Sequence, residues 1–131
     1  MKQIGILFIA VIFAAGLVSF AADQAPWVVP AKDKAVKNPV ASSKENVAEG
    51  KNLYSLHCKS CHGAKGLGDG TKAKGLKGDL GDFSSAKFHE QTDGELFFKT
   101  KKGRDDMPSF AKKMSDEEIW LTVNYMRTLK K

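Results

Sequence analysis

Five consecutive residues, Cys58-Lys59-Ser60-Cys61-His62, hold both cysteines of this chain and one of its three histidines. Few chemistries use that pattern. A redox dithiol of the thioredoxin kind sits where a strand turns into a helix, and nothing strand-like precedes Cys58. A structural zinc site needs four ligands; His57 and His89 do not supply a second pair, and adjacent Cys61 and His62 chelate poorly together. A disulfide across so short a span would close a very small loop and stabilise little. Covalent haem attachment fits best. The two thiols add across the porphyrin vinyl groups, and the following imidazole reaches the iron from the same side. A single cysteine pair limits the chain to one haem c.

Glycine dominates the stretch after His62. Gly63, Gly66, Gly68, Gly70, Gly75, Gly78 and Gly81 exclude a long regular element, so this stretch is expected to be loop. A loop of that length normally counts against an assignment. A macrocycle removes the objection, because it offers an apolar surface for the segment to wrap. Without it, three short helices bury too little to hold a domain of this size.

Those helices are announced by three similar start signals. Ser42-Ser43-Lys44-Glu45, Thr92-Asp93-Gly94-Glu95 and Ser115-Asp116-Glu117-Glu118 each fit a capping box. The first predicts a helix carrying Val47, Gly50, Leu53 and Tyr54 and ending near His57. The second carries Leu96, Phe97 and Thr100 and stops at Gly103 after Lys101 and Lys102. The third carries Ile119, Trp120, Val123, Met126 and Leu129.

Ahead of them, Met1-Lys2-Gln3, the uncharged run Ile4 to Val18 and the small residues Ser19 and Ala21 read as a secretory signal peptide over residues 1–21. The alternative is a retained membrane anchor, since residues 4–22 approach the length of a bilayer span. Either expectation puts the remainder in the periplasm or on the outer face of the cytoplasmic membrane. Residues 22–43 are broken by Pro26, Pro30 and Pro39 and read as an extended arm or linker, with Trp27-Val28-Val29 as its apolar knot. Residues 44–131 form the domain. Whether the knot packs on the domain, a membrane or a partner is left open.

With 21 Lys+Arg against 15 Asp+Glu the chain is basic, with a formal net charge of +6. Lys59, Lys65, Lys72, Lys74 and Lys77 form one group; Lys99, Lys101, Lys102 and Arg104 form another. Most such runs are solvated surface, but these flank the expected haem and suit acidic partners. No aromatic-interleaved basic motif points to nucleic acid.

The iron has a second face. Met107 comes after a helix end, in a turn where Pro108 biases its backbone toward an extended shape, and it is the candidate distal ligand. Met126 and Met114 read as core packing. His89, in the irregular Phe88-His89-Glu90 stretch, is the rival ligand and is expected to be solvent-exposed. A thioether would favour ferrous iron, and two filled axial positions would leave no vacancy for oxygen or peroxide.

Together these residues resemble the class I c-type cytochromes, specifically the small monohaem bacterial kind, over about residues 44–129. The resemblance rests on Cys58-x-x-Cys61-His62, the pair Gly50 and Tyr54, Met107-Pro108-Ser109-Phe110 and Glu117-Glu118-Ile119-Trp120. It implies an all-α, cytochrome c-like fold, three main helices and long loops around one covalent haem. It also implies a close crossing of the first and last helices, with Tyr125 meeting Gly50 and Tyr54. The implied role is a non-enzymatic electron carrier between a quinol-oxidising complex or dehydrogenase and a terminal oxidase or reductase. Alternatives are a subunit permanently docked through its arm, and an open-site haem protein that reduces peroxide or senses a gas. The loop Leu76-Lys77-Gly78-Asp79-Leu80 lacks the prolines often found in the family, and no propionate contacts are assigned from sequence.

Overall fold

The computed structural model describes residues 25–131. The signal peptide or membrane tether expected over residues 1–22 lies outside the described residues. Among the described residues, no helix is long and apolar enough to cross a membrane. The described residues form six α-helices in chain order: α1 (Ala31–Lys34), α2 (Lys44–His57), α3 (Lys59–His62), α4 (Ala86–His89), α5 (Asp93–Lys102) and α6 (Asp116–Arg127). A 3-10 turn spans Ala73–Gly75, and the described residues include no strand beyond an isolated bridge between Arg104 and Met107.

Local signals set the helix ends. Thr92 and Ser115 each accept the N–H three residues on, while Glu95 and Glu118 reach back, so α5 and α6 both start with full capping boxes. The start of α2 differs from expectation. Ser43, not Ser42, is its cap, accepting from Asn46 N–H, and Glu45 closes no box. Just ahead of the cap, Asn124 Nδ2 holds the carbonyls of Val40 and Ala41, and Asn46 Nδ2 donates to the Ala41 carbonyl at 2.8 Å.

α2 and α6 cross at Gly50. A Cβ there would fall on the Leu121 carbonyl oxygen, 2.7 Å from its carbon and 3.1 Å from Tyr125 Cβ. Missing that atom, the helices close until Tyr54 and Tyr125 meet with ring centroids 5.1 Å apart. The core grows around this seam. Phe97 stacks on Trp120 at 4.0 Å. Met114 packs among Leu53, Phe110, Ile119 and Leu121, as expected of a packing residue. His89 departs from its expectation. It ends a short helix capped by Ser85 rather than lying in irregular chain, and it is half-buried with its ring edge-on to Phe88.

The arm packs on its own domain. Val29 is buried while its neighbour Val28 points outward. Asn38 Nδ2 donates to Asn124 Oδ1 at 2.9 Å and to the Trp120 carbonyl at 3.3 Å. Thr92 Oγ1 donates to the Lys34 carbonyl at 2.8 Å, and Lys34 pairs with Glu95 at 3.0 Å. Gly94 makes this approach possible, since a Cβ there would lie 2.9 Å from the Val36 carbonyl oxygen and 3.1 Å from that of Lys34.

Candidate functional site

Cys58 closes α2, its N–H donating to the Tyr54 carbonyl at 2.8 Å. The chain then turns directly into α3, where the Cys58 carbonyl accepts from Cys61 N–H at 3.1 Å and His62 N–H at 2.9 Å. One helical turn therefore carries both thiols and the imidazole. The glycine loop folds back over it: Gly68, Gly70 and Lys72 donate their N–H groups to the carbonyls of His62, Cys61 and Ser60. Gly70 must be bare for this, because a Cβ there would sit 2.6 Å from the Cys61 carbonyl. Burial, and then the neighbouring Cys61, push the Cys58 thiol up to about 12. A reactive dithiol needs the opposite shift. Among the described residues, no three His, Cys, Asp or Glu side chains converge as metal ligands.

His62 is held in one orientation. Its Nδ1 lies 3.0 Å from the Leu80 carbonyl oxygen, which can only accept, so Nδ1 carries the proton and Nε2 keeps its lone pair. Phe83 lies against the ring at 4.7 Å, and is itself fixed by Phe83 N–H donating to Gly66 O at 2.7 Å. Burial lowers the pKa of His62, opposed by the Leu80 bond, and so favours the neutral imidazole a metal requires.

His62 opens onto a cleft of about 210 Å³, whose walls include Cys58, Leu80, Phe83, Leu96, Met107 and Met126. Protein interiors leave few voids larger than a water molecule, so a mostly apolar cleft of this size is built to hold something. Met107 reaches it from a tight turn. Arg104 and Met107 exchange both backbone hydrogen bonds at 2.9 Å, with Asp105 between them at φ 51°, a left-handed value that aspartate tolerates. The turn is anchored behind by Gly103, where a Cβ would lie 2.5 Å from Pro108 C, and by Ser109 Oγ donating to the Lys101 carbonyl. Ahead, Asp106 accepts from Lys77 N–H at 2.7 Å, tying the turn to the lysine-rich loop.

The cleft thus gathers Cys58, His62 and Met107. Cys61 is half-buried on the same turn, its sulfur 3.8 Å from Ser60 Oγ, and does not line the cleft; neither does His89. Sequence reasoning missed Leu80, whose contribution is a backbone carbonyl. It also missed Phe83 and, at the cleft's open end, Trp27 and Arg104.

The family model for cytochrome c oxidase, cbb3-type, subunit III matches residues 45–126. The chain belongs to this family of c-type cytochrome domains. Among solved structures, a chain of the Kuenenia stuttgartiensis reducing HAO-like protein complex Kustc0457/Kustc0458 is similar at 28% identity and TM-score 0.61. That match covers 73% of this chain and 50% of that one, so this cytochrome spans about half its length. The KustC0563 c-type cytochrome is similar at 30% identity and TM-score 0.55, covering 63% of this chain and 98% of that one. No curated protein matches. The cytochrome is all-α, of the class I kind, and binds haem c covalently; Cys58 and Cys61 stand in the attachment pattern. The residues present fit that group: an apolar cleft for the ring, and a neutral, oriented imidazole beside two thiols.

Proposed function

We propose that this cytochrome is an exported one-electron carrier whose haem is attached through Cys58 and Cys61 and ligated by His62 and Met107. The haem supplies reversible one-electron exchange at iron. The chain supplies the rest. Leu80 and Phe83 hold His62 in register, the Arg104–Met107 turn brings a soft thioether to the cleft, and the surrounding apolar residues exclude water. If His62 and Met107 both held the iron, no site would remain for substrate, and the protein would act as a carrier rather than an enzyme. The observation that carries this reading is that His62, with its Nδ1 already engaged, and Met107 line one cleft.

Its partners would be a quinol-oxidising complex or dehydrogenase and a terminal oxidase or reductase, met in the periplasm or at the outer membrane face. The two basic groups would steer acidic docking faces toward the cleft, so the transfer rate falls with added salt. Permanent docking is the second reading, favoured by the likeness to a chain from a redox complex. Against the arm as the docking element stands its packing on α5 and α6.

Absorption spectra of the ferric and ferrous protein beside Met107→Ala test the ligation. The variant loses the sulfur-to-iron charge-transfer band and binds carbon monoxide when reduced at neutral pH. An unchanged variant spectrum, or carbon monoxide binding by the parent, rules Met107 out.

A further inference from the structure

At one end the apolar cleft opens into a second space of mixed lining, and the two share Trp27, Asp79, Gln91, Lys99 and Arg104. The roof of that end is the arm, which lies outside the matched family region. Arg104 fixes it there. Its Nη1 donates to the Ala25 carbonyl at 2.9 Å, and its guanidinium stacks 4.6 Å from the Trp27 ring centroid. Lys99 Nζ lies 5.8 Å from the same ring and bonds Gln91 Oε1.

Both signs of charge line this mouth, the cations Lys99 and Arg104 and the carboxylates Asp79, Asp105 and Asp106. Asp79 already accepts from Gly81 N–H at 2.8 Å, and Asp106 from Lys77 N–H. Arg104 Nε is buried without a hydrogen bond, and among the described residues its only counter-charge is a long ion pair, 3.4 Å, to the largely exposed Asp105 carboxylate. Buried donors in folded proteins find acceptors. Lys99 is half-buried, and its pKa is lowered chiefly by burial, an effect that nearby Glu95 opposes and Arg104 and Lys34 reinforce; a bound anion would offset what remains. A haem in the cleft brings two such anions. Its ring belongs among the apolar walls, but its two propionate carboxylates cannot stay there unpaired.

We infer that the arm forms part of the haem site: Arg104 and Lys99 hold the propionate carboxylates, and Trp27, clamped by Arg104, closes over that edge of the ring. A guanidinium suits the role because its planar fork matches a carboxylate. Closure and the two cations act on the iron in one direction. Ferric haem carries one more positive charge than ferrous, so a drier edge and nearby cations both raise the reduction potential.

The test uses the full-length holo-cytochrome and Trp27→Ala, Lys99→Met and Trp27→Phe variants. Each of the first two lowers the equilibrium constant for reduction about three- to tenfold at low salt, tenfold being 59 mV for one electron. In the parent, the Trp27 indole N–H resonance, assigned by its absence from Trp27→Phe, shifts between ferrous and paramagnetic ferric states. A change below threefold in either potential, or an indole resonance that keeps its position, overturns the inference. The inference rests on haem lying between His62 and Met107. Failure of that reading shows instead in the parent's absorption spectrum, which neither Trp27 nor Lys99 should alter.

Discussion

Gly50→Ala adds one carbon at the tightest point of the molecule. That carbon would stand 2.7 Å from the Leu121 carbonyl carbon, where unstrained carbons lie about 3.5–4.0 Å apart. The obstruction is α6 backbone, so no rotamer relieves it, and α2 and α6 must separate by about 0.8–1.3 Å. A gap of about 0.5–1 Å forfeits a quarter to a half of each dispersion contact across it. Leu53, Tyr54 and Tyr125 sit on the seam and are all buried, and each stands to lose roughly 1 kcal/mol. Alanine's better helix propensity returns about 0.5–1 kcal/mol. The net cost is about 2–2.5 kcal/mol, within the range for overpacked cores. At about 4–8 °C per kcal/mol, Tm falls by roughly 10–20 °C. Far-UV circular dichroism melts of the holo-cytochrome measure it. Gly75→Ala is the control: a Cβ there meets nothing within 4 Å, and its Tm should hold or rise slightly. A Gly50→Ala variant melting within about 4 °C of the parent would refute the close-crossing argument.

Arg127 joins the end of α6 to the start of α5, donating to Asp93 at 2.8 Å and to the Gln91 carbonyl at 2.6 Å. Its side chain and that of Asp93 are partly exposed, so the ion pair counts little and the carbonyl bond more. Arg127→Ala should cost about 1–3 kcal/mol by denaturant melt, and Arg127→Lys should recover little of it, since one ammonium cannot span both acceptors. Glu95 titrates below its ordinary value of 4.5 chiefly because it accepts the Thr92 N–H. The stability it contributes is therefore complete above pH 4.5 and is lost as the pH falls through the lowered folded value. Glu95→Gln keeps the cap geometry but loses that acid dependence, so the Tm gap between parent and variant narrows from about pH 7 to about pH 3. A gap that stays constant refutes the assignment.

The features legible in the sequence were local in the chain. Capping boxes at Thr92 and Ser115 involve residues three apart, and the stop at Gly103 with Met107-Pro108 beyond it is a single turn, so each is written in a few letters. The Gly50 crossing spans a long sequence separation and was legible only through the family resemblance, which pairs Gly50 and Tyr54 with Tyr125. Two adjacent serines offer two caps, Ser42 facing Glu45 and Ser43 facing Asn46 three residues on, so the local letters do not choose between them; the structure uses Ser43. Leu80 was illegible for a different reason. The atom that orients His62 is a backbone carbonyl, and every residue type has one. Nor could Gly94 disclose its purpose, since it faces the arm's carbonyls rather than its own helix.

The arm is where these two kinds of illegibility meet. Three prolines and little periodicity gave it the composition of a linker, because its order is imposed from outside: Asn38 by Asn124, Lys34 by Thr92 and Glu95, Ala25 by Arg104. Each of those partners belongs to the domain, and Arg104 also lies in the turn that carries Met107. Arg104, unlike Trp27, therefore also bears on the turn that brings the thioether to the cleft. Potentials that shift together in Trp27→Ala and Arg104→Gln, with the charge-transfer band retained in both, would mean the arm tunes the iron through the propionate edge. Loss of the band in Arg104→Gln alone would instead place the coupling in the turn, through the paired backbone bonds of Arg104 and Met107.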